Sequence, residues 1–415
     1  MGADLKSEAR SSKPETGLIR CRAGRAAQRP EPAREVDLAP AEIGGYPRFR
    51  QGPIQERLAL SFCAAGAYDS VMRVLIIGCG YVGIQLGAEL VKQGHEVFGL
   101  RRSMGAEAEF KAAGIKPLTG DITKADQLAQ LPRGYDWVVN CVSASGGGEE
   151  EYREIYLQGT RNLIEWLRAA PPKKFIYTSS TSVYGQDDGS LVKESSPTRP
   201  AAETAKILVE TELVLLEAAR GGMPQQIDAF CAAEPAGYYR PPTPALSASE
   251  GESGSARLSG NQSTKFPAVI LRLAGIYGPD RGYWLKQYMN NEARIEGNGA
   301  RILNMIHRDD AAGAIIAALK SGRPGEVYNA VDDEPVSQLG FFQWLSGPLG
   351  KELPPSVPED AETVRKRGVT NKKVSNRRLR MELGYQFKYP TFRQGYTAEI
   401  LRLDRSGELE AKNLY

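Results

Sequence analysis

A doubly wound parallel sheet with helices on both faces, an α/β architecture, is the fold this sequence predicts, and three observations predict it. An apolar run at 74–77 ends in Gly78-Cys79-Gly80-Tyr81-Val82-Gly83 and hands over to a helical pattern. Short apolar runs and longer amphipathic ones then alternate along the chain, as a wound sheet requires. A third run, 174–185, empties into hydroxyls at Thr178, Ser179, Ser180, Thr181 and Ser182, which belongs at the carboxyl edge where such sheets bind ligands.

The elements follow in order. Gly78 suits a tight turn, Gly80 lets the backbone approach a pyrophosphate, and Gly83 lets the helix at 81–93 pack close on the first strand. The helix's free N–H groups, with Tyr81 and Val82 in its first turn, form an anion seat. The second strand, 96–100, arrives through Gly94-His95 and completes a βαβ unit. About 20 residues past the glycines an NAD-preferring fold carries an acid for the ribose 2′-hydroxyl. This chain carries Arg101-Arg102-Ser103 instead, two guanidinium forks and a hydroxyl that suit a 2′-phosphate. NADP is therefore favoured over NAD; the alternative is that both arginines are solvated loop charges. Residues 116–122 read as a short strand ending in an acid, Asp121, followed by Ile122, and 136–142 as a buried strand. Residues 152–170 read as an amphipathic helix with Ile155, Leu163, Trp166 and Leu167 on one stripe.

Composition sets the outer bounds. The chain has 415 residues, 41% hydrophobic and 25% charged, with a net charge of +3, which describes a globular protein without a basic stripe for nucleic acid. No apolar run is long enough to span a membrane. Cys21, Cys63, Cys79, Cys141 and Cys231 are odd in number and widely spaced, which argues for a reducing cytoplasm over a disulfide framework. With only His95 and His307, a zinc cluster and a Ser-His-Asp triad are not expected. Residues 1–70 are rich in Ala, Arg, Pro and Glu without periodicity, so they are expected to be a disordered extension, with Met72 an alternative natural start. Residues 221–265 have linker composition and are expected to be a disordered insertion.

These residues resemble the extended short-chain dehydrogenase/reductases, a family that includes nucleotide-sugar epimerases and dehydratases, over about 72–405. The resemblance rests on the glycine motif, the Gly120-Asp121-Ile122 turn, the Ser-Ser-x-x-Val-Tyr-Gly strand end at 179–185, and Arg272-Leu273-Ala274-Gly275-Ile276-Tyr277-Gly278-Pro279. Residues 304–310 and 325–329 also look like that family. The resemblance implies a Rossmann-like domain at 71–277, and a mainly substrate-binding part at 278–415 with Rossmann elements around 307–331. It further implies that Asp121 and Ile122 flank the adenine.

The family's chemistry uses a Ser or Thr, a Tyr and a Lys, with the Tyr moving a proton while hydride passes to or from the nicotinamide. Aligned on 200–206, Lys206 falls on the family's Lys and holds the nicotinamide ribose, and Ser180 falls on its hydroxyl residue. The Tyr position falls on Ala202, whose methyl group cannot shuttle a proton, and the family's Asn falls on Tyr156. Tyr184 and Tyr283 are candidate substitutes, with ordinary aromatic packing as the competing reading. His307 reads as a structural residue at a helix start, where Asp309 and Asp310 suit the cap region. Two functions stay open: an NADP-dependent oxidoreductase or epimerase/dehydratase-like protein acting on a sugar-like or other hydroxyl/carbonyl substrate, such as a nucleotide sugar, and a catalytically weak NADP(H)-binding sensor or assembly factor. Neither implies a metal, a membrane or a nucleic acid, and both leave room for a homodimer in the cytoplasm.

Overall fold

The computed structural model describes residues 70–103, 105, 107–144, 146, 148–222, 265–358 and 370–407. The expectations for residues 1–69 and for most of 221–265 lie outside the described residues, as do Cys21, Cys63 and Cys231. Residues 69–415 form one compact unit, to which everything below belongs.

Seven strands make the central sheet: β1 (Arg73–Ile77), β2 (Glu96–Arg101), β3 (Lys116–Thr119), β4 (Trp137–Asn140), β5 (Lys174–Ser180), β6 (Ala268–Leu273) and β7 (Val327–Ala330). Their order is β7-β6-β5-β4-β1-β2-β3, every neighbouring pair parallel. This is the Rossmann-like doubly wound sheet expected, with one strand beyond the six of the usual order. Val74, Leu75, Ile76 and Ile77 are all buried, because a parallel sheet is covered on both faces. Each such side chain contributes about 1.5–3 kcal/mol. The winding reverses between β1 and β4, and that switch opens a crevice at their carboxyl ends.

The covering helices are α1 (Tyr81–Lys92), α2 (Glu107–Ala113), α3 (Ala125–Gln130), α4 (Glu149–Tyr152), α5 (Gly159–Arg168), α6 (Glu203–Arg220) and, after α7 (Tyr283–Met289), α8 (Arg308–Ser321). A π-helical segment, Arg153–Gln158, joins α4 to α5 where the sequence predicts one amphipathic helix. Such insertions recur at functional sites, and this one carries Tyr156. Helix α6 ends at Gly221, in the left-handed conformation that glycine permits.

A second apolar core lies beyond Tyr277. Leu285, Tyr288 and Met289 of α7 pack with Phe341, Phe342 and Leu345 of α9 (Gln338–Leu349) and with Phe392, Tyr396, Ile400 and Leu403 of α11 (Phe392–Arg405), the last helix after α10 (Arg377–Leu383). Tyr277 joins the two regions, its ring stacked on Tyr396 at 4.2 Å. Gly395 makes the stack possible, since a Cβ there would fall inside the Tyr277 ring edge.

Candidate functional site

The glycine turn shapes the crevice. Gly78 has φ of +70°, donates its N–H to Leu100 O at 3.0 Å, and lies so close to Val142 that a Cβ would come within 2.7 Å of backbone. A Cβ on Gly80 would meet nothing closer than Arg101 Nη2 at 3.7 Å and Gly78 O at 3.8 Å, so the backbone there is only loosely covered. No side chain caps α1 and its first turn holds no acid, which leaves N–H groups for an anion. Gly83 packs on Ile76.

Three adjoining cavities follow the carboxyl edge of the sheet. The first, about 400 Å³, is lined by Gly78, Gly80, Arg101, Arg102, Ser103, Asp121 and Ile122, among others. Neither Arg101 nor Arg102 forms an ion pair with a described residue; Arg101 lies over the Phe110 ring at 5.9 Å. Asp121 accepts the Thr123 N–H at 2.9 Å, which fixes the turn and aims Ile122 inward, where Gly159 leaves it room. The second cavity, about 310 Å³, shares Gly78, Gly80, Val142 and Ser143 with the first and adds Tyr81, Val82, Gly83, Tyr156, Thr178 and Ser180. The third, about 280 Å³, shares Ser180 with the second and adds Tyr283, Trp284, Arg301, Asn304 and Lys372.

The residues present fit a dinucleotide. The open backbone at Gly80 and the uncapped start of α1 would hold the pyrophosphate, and Arg101, Arg102 and Ser103 would stand at the ribose 2′ position. Asp121 and Ile122 would flank the adenine, with Ser180 at the nicotinamide end. The group would supply a carbon that accepts or donates hydride. Burial pushes the thiols of Cys79 and Cys141 up to about 12, so both are neutral, free thiols beneath the crevice.

The predicted catalytic pair is not brought together. Ser180 lines the second and third cavities, its Oγ accepting the Ser182 N–H at 3.2 Å. Lys206 sits in the first turn of α6, half-exposed, and donates to Glu203 Oε1 at 2.7 Å; it lines none of the three cavities. Ala202 is the N-cap of the same helix and also lies outside the cavity walls. Of the substitutes, Tyr184 is fully buried, donates to Asn329 Oδ1 and accepts from Arg272 Nη1, each at 2.8 Å, so it is part of the packing. Tyr283 lines the third cavity and is 65% exposed. His307 is structural: it is the N-cap of α8, its Nδ1 accepting the Asp309 N–H at 3.1 Å. Burial lowers its pKa to about 4, so the acceptor nitrogen stays unprotonated.

Tyr156 stands in the second cavity as a buried phenol, its oxygen accepting the Ala144 N–H at 3.1 Å. The hydroxyl edge of β5 is braced from below. Ser179 donates to Glu212 Oε1 at 2.5 Å, and Glu212 pairs with Arg272, Nη2 to Oε2 at 2.6 Å. Glu212 was visible in the sequence only as an acid four residues from Leu208 on an apolar stripe. Arg301 and Lys372 carried no periodic or motif signal, because loops bring them to the cavity.

Residues 74–224 match the model of the NAD dependent epimerase/dehydratase family. The chain is 24% identical over 325 residues to Protein YeeZ of Escherichia coli (strain K12), covering 77% of this chain and 96% of that protein. A solved structure from Methylobacillus flagellatus, assigned by description to NAD-dependent epimerases/dehydratases, is 29% identical with a TM-score of 0.55, covering 81% of this chain and all of that one. DesIV, a dTDP-glucose 4,6-dehydratase from Streptomyces venezuelae solved with NAD and TYD, has a TM-score of 0.62 at 20% identity over 81% of this chain and 98% of that one, a likeness of fold. Among the described residues no helix is long and apolar enough to cross a membrane, and no three His, Cys, Asp or Glu residues group as metal ligands. Residues 74–224, and the seven-stranded sheet built around them, are thus similar to the NAD dependent epimerase/dehydratase family.

Proposed function

We propose that this protein is an NADP-dependent oxidoreductase that transfers hydride between the nicotinamide and a hydroxyl or carbonyl carbon of a small molecule. One observation carries the reading: adjoining cavities with shared walls lead from two guanidiniums that have no carboxylate partner among the described residues, past the glycine turn, to a serine that lines both the second cavity and the third. In this reading Arg101 and Arg102 hold the 2′-phosphate, the α1 N–H groups hold the pyrophosphate, and Ser180 Oγ binds the substrate oxygen.

Proton transfer needs a group other than Ala202. Tyr156 offers a phenol in the second cavity, its oxygen accepting the Ala144 N–H. Titration of the protein with NADPH and NADH at fixed salt tests the cofactor assignment. NADPH is expected to bind at least ~10-fold tighter, and R101A/R102A to erase the difference, since a hydrogen bond to a charged group is worth about 1.5–3 kcal/mol. Equal affinities in the unmodified chain defeat it.

The placement of Lys206 against Glu203 and the methyl at Ala202 favour a second reading, an NADP(H)-bound sensor or assembly factor that keeps the fold with little turnover. Tight NADPH binding with no change in nicotinamide absorbance across hydroxyl and carbonyl substrates supports it. Turnover that Y156F removes supports the enzyme.

A further inference from the structure

The third cavity carries more charge than a neutral substrate needs. Arg301 and Lys372 line it, and among the described residues no Asp or Glu does. Lys372 is 4% exposed and donates to two neutral acceptors, Tyr184 O at 2.8 Å and Thr370 Oγ1 at 2.6 Å, with no carboxylate within ion-pair distance among the described residues. Arg301 is held over the Trp284 ring at 5.3 Å, and its Nε and Nη2 are buried without a hydrogen-bond partner. Glu296 Oε2 lies 3.4 Å from Arg301 Nε, so among the described residues one of the two cations has a counter-charge, and that carboxylate does not line the cavity.

The two cations are also fixed in place. Asn304 donates to Lys372 O at 2.8 Å and accepts the Val374 N–H at 2.9 Å, while Asn371 Oδ1 accepts the Ile302 N–H at 3.0 Å. These bonds clamp the Lys372 segment against the strand that follows Arg301. Buried cations left without hydrogen-bonded anions are costly, and an anionic ligand in the cavity would relieve that cost.

We propose that Arg301 and Lys372 form an oxyanion clamp, and that the substrate is a compact hydroxyl or carbonyl compound bearing a carboxylate or phosphate group. The guanidinium matches either oxyanion as a planar fork and the ammonium as a point charge. The cavity's 280 Å³ is slightly below the span of about 300–1,000 Å³ typical of drug-sized ligands, which suits an acid without an attached nucleotide. Ser180 in the same cavity then receives the substrate's other oxygen. The proposal deepens the oxidoreductase reading and rests on the third cavity being its substrate end.

The test is calorimetric titration of the full chain with inorganic phosphate, malonate, UDP and glycerol, all in an R101A/R102A background that removes the other guanidinium pair. Phosphate or malonate is expected to bind, with the tighter of the two naming the group, and glycerol is expected not to bind. R301Q and K372M should each weaken the anion by at least ~10-fold, the loss of one charge-assisted bond. Melting temperature and NADPH affinity of the single variants report their folding; should K372M not fold, R301Q decides alone. Anion affinity unchanged in R301Q and in a folded K372M overturns the clamp, as does glycerol binding as well as malonate, or UDP binding that survives both substitutions. Absence of NADPH binding in the unmodified chain sinks the oxidoreductase reading separately, because the anion titrations need no nucleotide.

Discussion

Replacing Glu212 with Leu is expected to destabilise the protein by about 3–5 kcal/mol, the cost of leaving a buried charge without its partner. The magnitude follows from the geometry. Arg272 and Glu212 side chains are 2% and 3% exposed, and they share three hydrogen bonds: Nε to Oε1 at 3.1 Å, Nε to Oε2 at 3.2 Å and Nη2 to Oε2 at 2.6 Å. E212L removes all three and strands Ser179 as well, leaving Arg272 with Tyr184 Oη and the Glu194 carbonyl. Domains of about 150–250 residues lose about 2–4 °C per kcal/mol, and larger ones less, so the melting temperature should fall by about 6–10 °C. Calorimetry and urea unfolding would measure it. The double variant E212L/R272M should recover most of the loss, since replacing both charges with apolar groups of similar volume is often neutral. A loss under about 1 kcal/mol in E212L, or a double variant as unstable as the sum of the singles, would show that this pair does not carry the bracing role assigned to it.

Other outcomes follow from the same structure. Burial lowers the Lys372 ammonium to about 8, so anion binding in the third cavity should be full below pH 8 and decline as pH rises through it, a trend that K372M should flatten in titrations from pH 6.5 to 9.5. His307, held to about 4 in the fold against 6.5 free, gives stability that is present above pH 6.5 and is lost as pH falls towards 4; urea midpoints between pH 7 and 4.5 should drop, and less so in H307Q. Gly78→Ala should cost more than about 1 kcal/mol and abolish nucleotide binding, since it combines φ of +70° with a contact at 2.7 Å from the Val142 backbone; retained NADPH affinity would sink the phosphate-turn assignment. Gly395→Ala drives a methyl into the Tyr277 ring edge and should cost about 1–3 kcal/mol by thermal unfolding, despite alanine's higher helix propensity.

The chain's local signals determined the sheet and the end of the crevice that the glycine turn shapes. The apolar run 74–77, the glycines after it and the position of Arg101 and Arg102 lie within one βαβ unit, so the spacing along the sequence is the spacing in space. The hydroxyl end of β5 was legible for the same reason: a strand that turns polar ends at solvent or at a ligand. Tertiary structure alone decided the rest. Lys206 is one turn into α6, but whether it faces the crevice depends on the helix's rotation on the sheet, and its side chain pairs with Glu203 at the surface. Tyr156 reaches the second cavity because a π-helical segment interrupts a pattern that reads as plain helix. Arg301 and Lys372 lie far apart in sequence and line one cavity where hydrogen bonds of Asn304 and Asn371 join their two loops. Periodicity records which face of one element is buried; it holds no record of which loops close over a cavity, because that follows from packing among elements distant in the chain.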